Sequence, residues 1–392
     1  MAHISSIIMI ETRCVMSRYL RIAAVALAVC LLIPSLFIFP ARASEPGLSG
    51  ECACLYLPQI DKVLVDKNGS RRHPMASTTK IMTALVALES AGMDDEVVVS
   101  PEAAGVEGSS IYLVAGERQT MGNLLYALLL ESANDAAAAI AIHVAGSVSA
   151  FADKMNARAA EMGLTDTHFE NPHGLSDENH YTTAIDLARI TAEAMRNPIF
   201  REIVSTKHKI IKVQNGTQVR SLSNHNRLLR SYDDCVGVKT GFTRISGRCL
   251  VSAAERNGML EIAVTLDAPN DWQDHAALLD YGFSLYEGRI LAESAGERFT
   301  VPLIGGEQEA VSLSARNTYY AVVARGSEPI IPHVEINRLI TAPVRKGQVL
   351  GCVRYTQGGK TIATVPLLAE EAVAARPVRL TLWDKIKNFL KW

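Results

Sequence analysis

A serine and a lysine stand three positions apart where an apolar helix is predicted to begin, in the segment Ser77-Thr78-Thr79-Lys80. Residues three apart in a helix share a face, so the Lys80 amine can reach the Ser77 hydroxyl. A serine becomes a nucleophile when a base takes its proton, and lysine is such a base only when neutral. Burial and a second cation nearby both lower a lysine pKa toward that state. The segment therefore predicts nucleophilic catalysis, with the backbone N–H of Ser77 available to stabilise an oxyanion.

A second short segment, Ser132-Ala133-Asn134, falls between two predicted helices. Taken alone, it fits a loop in which Asn134 or Asp135 caps the following helix.

The third segment, Lys239-Thr240-Gly241, ends a predicted strand. It offers a cation, a hydroxyl group and an unobstructed backbone edge to an extended substrate. Each of the three segments is ordinary by itself. In this order along one chain, S-x-x-K, S-x-N and K-T-G are the signature of β-lactamases and penicillin-binding proteins.

The sequence resembles the low-molecular-mass penicillin-binding proteins that are D-alanyl-D-alanine carboxypeptidases. The likeness includes Pro74 to Glu89, Leu128 to Ala137, Met162 to Leu175, His180 to Ala188 and Gly237 to Thr243. It implies an enzyme that removes the terminal D-alanine from peptidoglycan stem pentapeptides through an acyl-enzyme, and that β-lactams inhibit. The alternatives are a DD-endopeptidase, a serine β-lactamase or a non-catalytic wall-binding protein.

The resemblance also implies a role for each motif residue. Ser77 attacks the carbonyl of the D-Ala-D-Ala bond, and Lys80 is its general base. Ser132 and Asn134 relay a proton to the leaving amine and hold the substrate amide.

On the strand, Lys239 keeps Lys80 neutral and Thr240, followed by Gly241, binds the terminal carboxylate. The backbone N–H of Phe242 joins that of Ser77 in the oxyanion hole. Family members often carry histidine or another polar residue at the position of Phe242, so the substrate preference stays open.

Three further features of the sequence could each have a role at the site. His225 or the nearby Arg227 is a candidate to bind the substrate carboxylate, and a solvated turn is the other interpretation. Glu170 is the carboxylate that a β-lactamase would need for deacylation. Cys235 and Cys249 begin two strands predicted to be neighbours, which leaves open a disulfide or two reduced thiols.

Composition excludes other classes of function. The 392 residues are 48% hydrophobic, and 39 basic side chains stand against 41 acidic ones, a net charge of -2. No global field attracts nucleic acid, and no nucleic-acid partner is predicted. The sequence has no H-E-x-x-H motif and no glycine-rich phosphate loop after a strand, so no metal or other cofactor is predicted.

The predicted elements position these motifs in an α+β fold. Strands at residues 52–57 and 63–66 precede an α-rich block, and three more strands follow between residues 235 and 266. Both ends of the block are expected to meet in one antiparallel sheet covered by helices, as in the β-lactamase/transpeptidase-like fold that the resemblance implies. We predict a catalytic domain over residues 44–288 and a small all-β domain over residues 289–377.

Both ends of the chain carry membrane-related patterns. Residues 1–43 have a basic start, an apolar run and the ending Ala41-Arg42-Ala43, which predicts a cleaved signal peptide, with an uncleaved anchor as the alternative. Residues 378–392 contain LWDKIKNFLKW, which is typical of an amphipathic helix on a membrane surface, with docking on the β domain as the alternative. The protein is therefore expected outside the cytoplasm, at the outer face of the cytoplasmic membrane.

Overall fold

The computed structural model describes residues 44–213, 219–294, 296–337 and 339–377 of the chain. The predicted signal peptide (residues 1–43) and the predicted amphipathic helix (residues 378–392) lie outside these described residues.

The strands of the described residues are β1 (Cys52–Leu57), β2 (Lys62–Lys67), β3 (Glu96–Val98), β4 (Arg118–Thr120), β5 (His208–Lys212), β6 (Val219–Ser223), β7 (Cys235–Thr243), β8 (Gly247–Arg256), β9 (Met259–Leu266), β10 (Tyr286–Ala292), β11 (Arg298–Ile304), β12 (Ala310–Ser314), β13 (Tyr319–Ala324), β14 (Ile331–Ile336), β15 (Ile340–Thr341), β16 (Val349–Gln357) and β17 (Lys360–Ala369). The α-helices are α1 (Lys80–Ser90), α2 (Met121–Tyr126), α3 (Asn134–Ala145), α4 (Val148–Glu161), α5 (Ala184–Ala194), α6 (Pro198–Ser205), α7 (Leu228–Ser231) and α8 (Asp271–Leu285).

A five-stranded antiparallel sheet, in the order β2-β1-β9-β8-β7, forms the centre of the part of the chain that carries the three motifs. β1 comes before the α-rich block and pairs with β9, which comes after it, so the expectation that both ends of the block meet in one sheet is confirmed. β1 and β9 are buried along their whole length. Helices cover both faces of these strands, so most of their residues are apolar; Glu261 and Thr265 are the polar exceptions, both in β9.

Helices pack on the two faces of this sheet: α5 packs on one face against β1 and β9, and α1 packs in turn on α5. α1 is buried from Lys80 to Ala87, as its apolar residues on every side predict. On the other face, Leu278 and Phe283 of α8 pack against Leu55 and Leu57 of β1. The sheet and α1 together place the K-T-G strand beside the start of the S-x-x-K helix.

The predicted second β-rich region is confirmed as an all-β arrangement with its own core. Its six-stranded sheet has the order β14-β16-β17-β12-β11-β15, and β10 pairs with β13. Val311, Leu313, Val365 and Leu367 are fully buried at its centre. The short strands β14 and β15 were not predicted, because their residues are mostly exposed and lack an alternating pattern.

Across the described residues, no single helix combines the length and the apolar composition needed to cross a membrane. The pair α3 and α4 passes that test jointly, but the two helices meet at a bend of 81°.

Candidate active site

Ser77 lies in a 3₁₀ turn, Ala76–Thr79, that leads directly into α1. This turn puts the side chains three residues apart on one side, and Lys80 Nζ lies 2.9 Å from Ser77 Oγ. The α-helix itself begins at Lys80, the last residue of the segment in which its start is predicted. The contact between the amine and the hydroxyl is the one that the three-residue spacing predicts.

Lys80 has no solvent exposure, and three oxygen atoms surround its amine. Nζ lies 2.7 Å from Asn134 Oδ1 and 2.6 Å from the His173 carbonyl, in addition to Ser77 Oγ. Burial, and secondly the charge of Lys239, hold the pKa of Lys80 well below its usual value. A neutral amine has two hydrogens and one lone pair. Because the two carbonyl oxygens can only accept hydrogens, the lone pair is left to face the Ser77 hydroxyl.

The S-x-N motif lies between α2 and α3, and the chain turns sharply at its first residue, Ser132. A π-helical turn, Ala127–Glu131, follows α2, and Ser132 then adopts a left-handed conformation with φ 61°. This geometry is common at functional sites. Ser132 is buried, and its Oγ has no hydrogen-bond partner among the described residues. The hydroxyl is therefore available to a substrate group in the cleft.

Asn134 does not cap α3, and neither does Asp135, so that prediction is wrong. The Asn134 amide oxygen accepts from Lys80, and its Nδ2 donates to the Glu107 carbonyl at 2.5 Å. Asp135 accepts from the backbone N–H of Leu113 at 2.9 Å. Both side chains hold neighbouring segments in place, and Asp135 Oδ1 also accepts from the first-turn N–H of Ala136 at 2.9 Å.

The edge strand β7 carries the K-T-G motif. Lys239 is buried, and its Nζ donates to the Thr240 carbonyl at 2.8 Å. Burial lowers the pKa of Lys239 to about 7, while the charge of Glu131 acts in the opposite direction. Each of the two lysines has one acidic group that raises its pKa, Asp135 for Lys80 and Glu131 for Lys239, but burial outweighs both and lowers the two pKa values.

Gly241 brings β7 against the nucleophile. A Cβ at this position would lie 3.0 Å from the Ser77 backbone nitrogen and 3.1 Å from Ala76 Cβ. These distances are shorter than an ordinary van der Waals contact, so a Cβ at position 241 would push β7 and the Ser77 turn apart by a few tenths of an ångström. The approach places the β7 edge beside the backbone N–H of Ser77.

A cleft of ≈ 340 Å³ opens over these groups. It brings together most of the predicted site residues, while Lys80, Asn134 and Lys239 lie beneath it and are buried. The residues that line it are Ser77, Ser109, Ser132, His225, Arg227, Thr240, Gly241, Phe242, Arg248, Asp271 and Trp272. His225 Nε2 lies 3.2 Å from Glu131 Oε2, and the side chain of Phe242 is 65% exposed.

One wall of the cleft was not predicted from the sequence. Arg248 forms a bidentate ion pair with Asp271, with N–O distances between 2.8 and 3.1 Å. The guanidinium groups of Arg227 and Arg248 both lie about 6 Å from the centre of the Trp272 ring system. Arg248 pairs with Phe242 across β7 and β8. The hairpin register could have placed Arg248, but no local signal marks Trp272 at the start of α8.

Glu170 is not part of the cleft. It is exposed, and its carboxylate lies 3.5 Å from His168 Nδ1. The only carboxylate among the described lining residues is that of Asp271, which is paired with Arg248. The arrangement offers no unpaired acid to activate a deacylating water in the way a β-lactamase requires.

Cys235 and Cys249 are both reduced, so the disulfide alternative is wrong. Their strands are neighbours, but Cys235 lies opposite Ala254 whereas Cys249 lies opposite Gly241. Antiparallel strands begin at opposite ends, and the six residue steps from position 235 to position 241 correspond to about 20 Å along a strand.

Comparison with known proteins identifies the family. Residues 40–270 match the family described as D-alanyl-D-alanine carboxypeptidase, and residues 293–375 match the C-terminal domain of penicillin-binding protein 5. The chain is 32% identical to D-alanyl-D-alanine carboxypeptidase DacF of Bacillus subtilis over 91% of its length and 94% of the relative. It is 30% identical to D-alanyl-D-alanine carboxypeptidase DacC of Escherichia coli over 92% and 94% of the two chains.

A solved structure gives the same result for the fold. The crystal structure of penicillin-binding protein 5 from Haemophilus influenzae superposes with a TM-score of 0.61 at 28% identity, covering 85% of this chain and 99% of the other. Together with the family matches, this shows that the chain belongs to the D-alanyl-D-alanine carboxypeptidase family of serine peptidases, which are low-molecular-mass penicillin-binding proteins.

Proposed function

We propose that the chain removes the terminal D-alanine from peptidoglycan stem pentapeptides, with Ser77 as the nucleophile and Lys80 as its general base. The observation that carries this proposal is the environment of Lys80 Nζ. Two carbonyl oxygens hold its hydrogens, burial and Lys239 favour the neutral amine, and Ser77 Oγ lies 2.9 Å away. That is the geometry that a general base needs.

Acylation then follows from the positions of the side chains. Ser77 Oγ bonds to the substrate carbonyl carbon as its proton passes to Lys80 Nζ. The resulting oxyanion accepts hydrogen bonds from the backbone N–H groups of Ser77 and Phe242. When the C–N bond breaks, the Ser132 hydroxyl hands its proton to the departing D-alanine amine and receives in its place the proton that Lys80 took from Ser77. A water molecule later hydrolyses the Ser77 ester.

Substrate binding uses the free edge of β7. Thr240, the His225 imidazole and the Arg227 guanidinium group, all at the mouth of the cleft, suit the terminal carboxylate of the peptide. Asn134, whose side chain is fixed by Lys80 and the Glu107 carbonyl, holds the substrate amide. Gly241 keeps the strand close enough for the peptide carbonyl to reach Ser77.

A test of the nucleophile is D-alanine release from diacetyl-Lys-D-Ala-D-Ala. We expect Ser77→Ala to abolish release while the protein keeps its circular dichroism spectrum. Ser90→Ala, an exposed serine at the far end of α1, is the matched control and should keep full activity. Release that persists in Ser77→Ala would reject the assignment.

Labelled penicillin separates this function from that of a β-lactamase. No unpaired carboxylate lines the described cleft, so we expect a long-lived penicilloyl ester on Ser77. Rapid loss of the label with hydrolysis of the antibiotic would support a β-lactamase. Cleavage of cross-linked dimers in preference to pentapeptides would support the DD-endopeptidase alternative.

We also propose that the protein is exported and acts outside the cytoplasmic membrane, with a catalytic domain over residues 44–288 and an all-β domain over residues 289–377. Residues 378–392 would hold it on the membrane surface. This rests on the sequence, in which residues 376–392 carry five basic side chains and one acidic side chain between aromatic and apolar residues. Deletion of residues 382–392 should move the protein from liposomes to the soluble fraction in a flotation assay. Unchanged flotation would refute the anchor.

A further inference from the structure

Three residues that play no part in the cleft bring metal-binding atoms together on another surface of the catalytic part. They are Glu51, His73 and Asp267, and their ligand atoms all lie within 4.8 Å of one another. Glu51 directly precedes β1, Asp267 directly follows β9, and His73 stands four residues before Ser77. None of the three lines the catalytic cleft.

The backbone fixes the relative positions of these residues. The Glu51 N–H donates to the Asp267 carbonyl at 3.0 Å, which continues the pairing of β1 with β9. His73 and Thr182 exchange two backbone hydrogen bonds, of 2.8 and 3.1 Å. Gly247 leaves room for the Asp267 carboxylate, because a Cβ there would lie 1.9 Å from Oδ1. The cluster is therefore built on ordered backbone on all sides.

The His73 ring is oriented as a metal ligand would be. Its side chain is only 8% exposed, and Nδ1 lies 2.8 Å from the Pro74 carbonyl. A carbonyl oxygen can only accept, so Nδ1 carries the hydrogen, and in the neutral ring Nε2 presents a lone pair. Nε2 faces Glu51 Oε2 at 3.5 Å. Donation of the second ring N–H to a backbone carbonyl is the usual way in which proteins orient a metal-binding histidine.

We propose that Glu51, His73 and Asp267 bind a divalent cation of the Zn²⁺ type, a site that goes beyond the peptidase function. One imidazole nitrogen and two carboxylate oxygens form a donor set that zinc accepts, with water completing the coordination. Arg71 occupies only Glu51 Oε1, at 2.5 Å, and leaves Oε2 toward His73. The bound ion would join the two strands β1 and β9, at the end of the pair where β1 begins and β9 ends, to the segment that leads into Ser77, and its role is to stabilise that junction.

The test is a zinc titration of the purified full chain after chelator treatment, followed by calorimetry and by thermal unfolding. We expect one bound ion and a rise in melting temperature with free zinc. His73→Gln and Asp267→Asn should each remove both effects, while His143→Gln, an exposed histidine on α3, should keep them. D-alanine release without zinc reports that each variant is folded, because none of these residues belongs to the catalytic machinery.

Arg71→Ala separates a metal site from a plain ion-pair cluster. In the proposed site, removing this competing cation frees Glu51 Oε1 and tightens zinc binding. In an ion-pair cluster with a protonated His73, the same change only lowers stability. Absence of zinc binding by the unmodified chain, or unchanged binding in His73→Gln, would overturn the proposal.

Discussion

Glu261 offers a sharp test of the electrostatics inside the catalytic part. It lies on β9 with no solvent exposure, and neither carboxyl oxygen has a hydrogen-bond partner among the described residues. Gly282 on α8 makes room for it, since a Cβ there would lie 2.3 Å from Oε1. Burial raises the pKa of Glu261 from 4.5 to about 9, and Arg256 opposes this shift. The side chain is therefore a neutral acid in the folded protein at neutral pH.

The size of the effect follows from linkage. The folded-state pKa of Glu261 is raised, so the folded protein binds more protons than the unfolded chain between pH 4.5 and about 9. The contribution of Glu261 to the free energy of unfolding is fully present below pH 4.5 and is lost as the pH rises toward 9. Each pKa unit corresponds to about 1.4 kcal/mol, so the loss is about 6 kcal/mol over the whole window and about 3 kcal/mol at pH 7.

Glu261→Gln removes the titratable carboxyl group and keeps the size and shape of the side chain. The buried amide adds an N–H without a partner, which costs about 1–3 kcal/mol at every pH. The slope with pH is therefore the readout. Between about pH 5 and about pH 8, the unfolding free energy of the unmodified chain should fall relative to that of Glu261→Gln by about 1.4 kcal/mol for each unit of pH increase.

The assay is urea denaturation followed by circular dichroism at a series of pH values. Glu102→Gln, which changes an exposed glutamate, is the matched control and should run parallel to the unmodified chain. Parallel curves for Glu261→Gln as well would mean that the carboxyl group is ionised in the folded protein, and the reasoning would fail.

Three predictions concern the β7 edge. Gly241→Ala should slow penicillin acylation by about tenfold to about a hundredfold, because its Cβ displaces the strand from Ser77; an unchanged rate would contradict this. Glu131→Gln removes the charge that raises the pKa of Lys239, so this pKa should fall. If the charge of Lys239 is needed to keep Lys80 neutral, D-alanine release should then decline at a lower pH than in the unmodified chain. An unchanged pH of decline would exclude an effect of Glu131 on catalysis through Lys239. Phe242→Ala should leave acylation unchanged if only its backbone N–H is used, and a large loss would assign the side chain a role.

The local sequence was a reliable guide wherever one element decides the geometry. The contact between Ser77 and Lys80 follows from a three-residue spacing within one turn, and the buried α1 follows from apolar residues on every side. Asn134 shows the limit of this reasoning. Its sequence context favours a helix cap, but the approach of Lys80 and the Glu107 carbonyl gives its side chain other partners.

The amino-acid sequence by itself determined the order of the motifs, the α+β organisation and the contact between Ser77 and Lys80, because these depend on residue type and short spacing. Only the tertiary structure decided which groups from distant segments meet. It placed Trp272 and Arg248 in the cleft wall, separated Cys235 from Cys249 and brought Glu51, His73 and Asp267 together. Strand register and packing set those distances, and neither is encoded in any short stretch of residues.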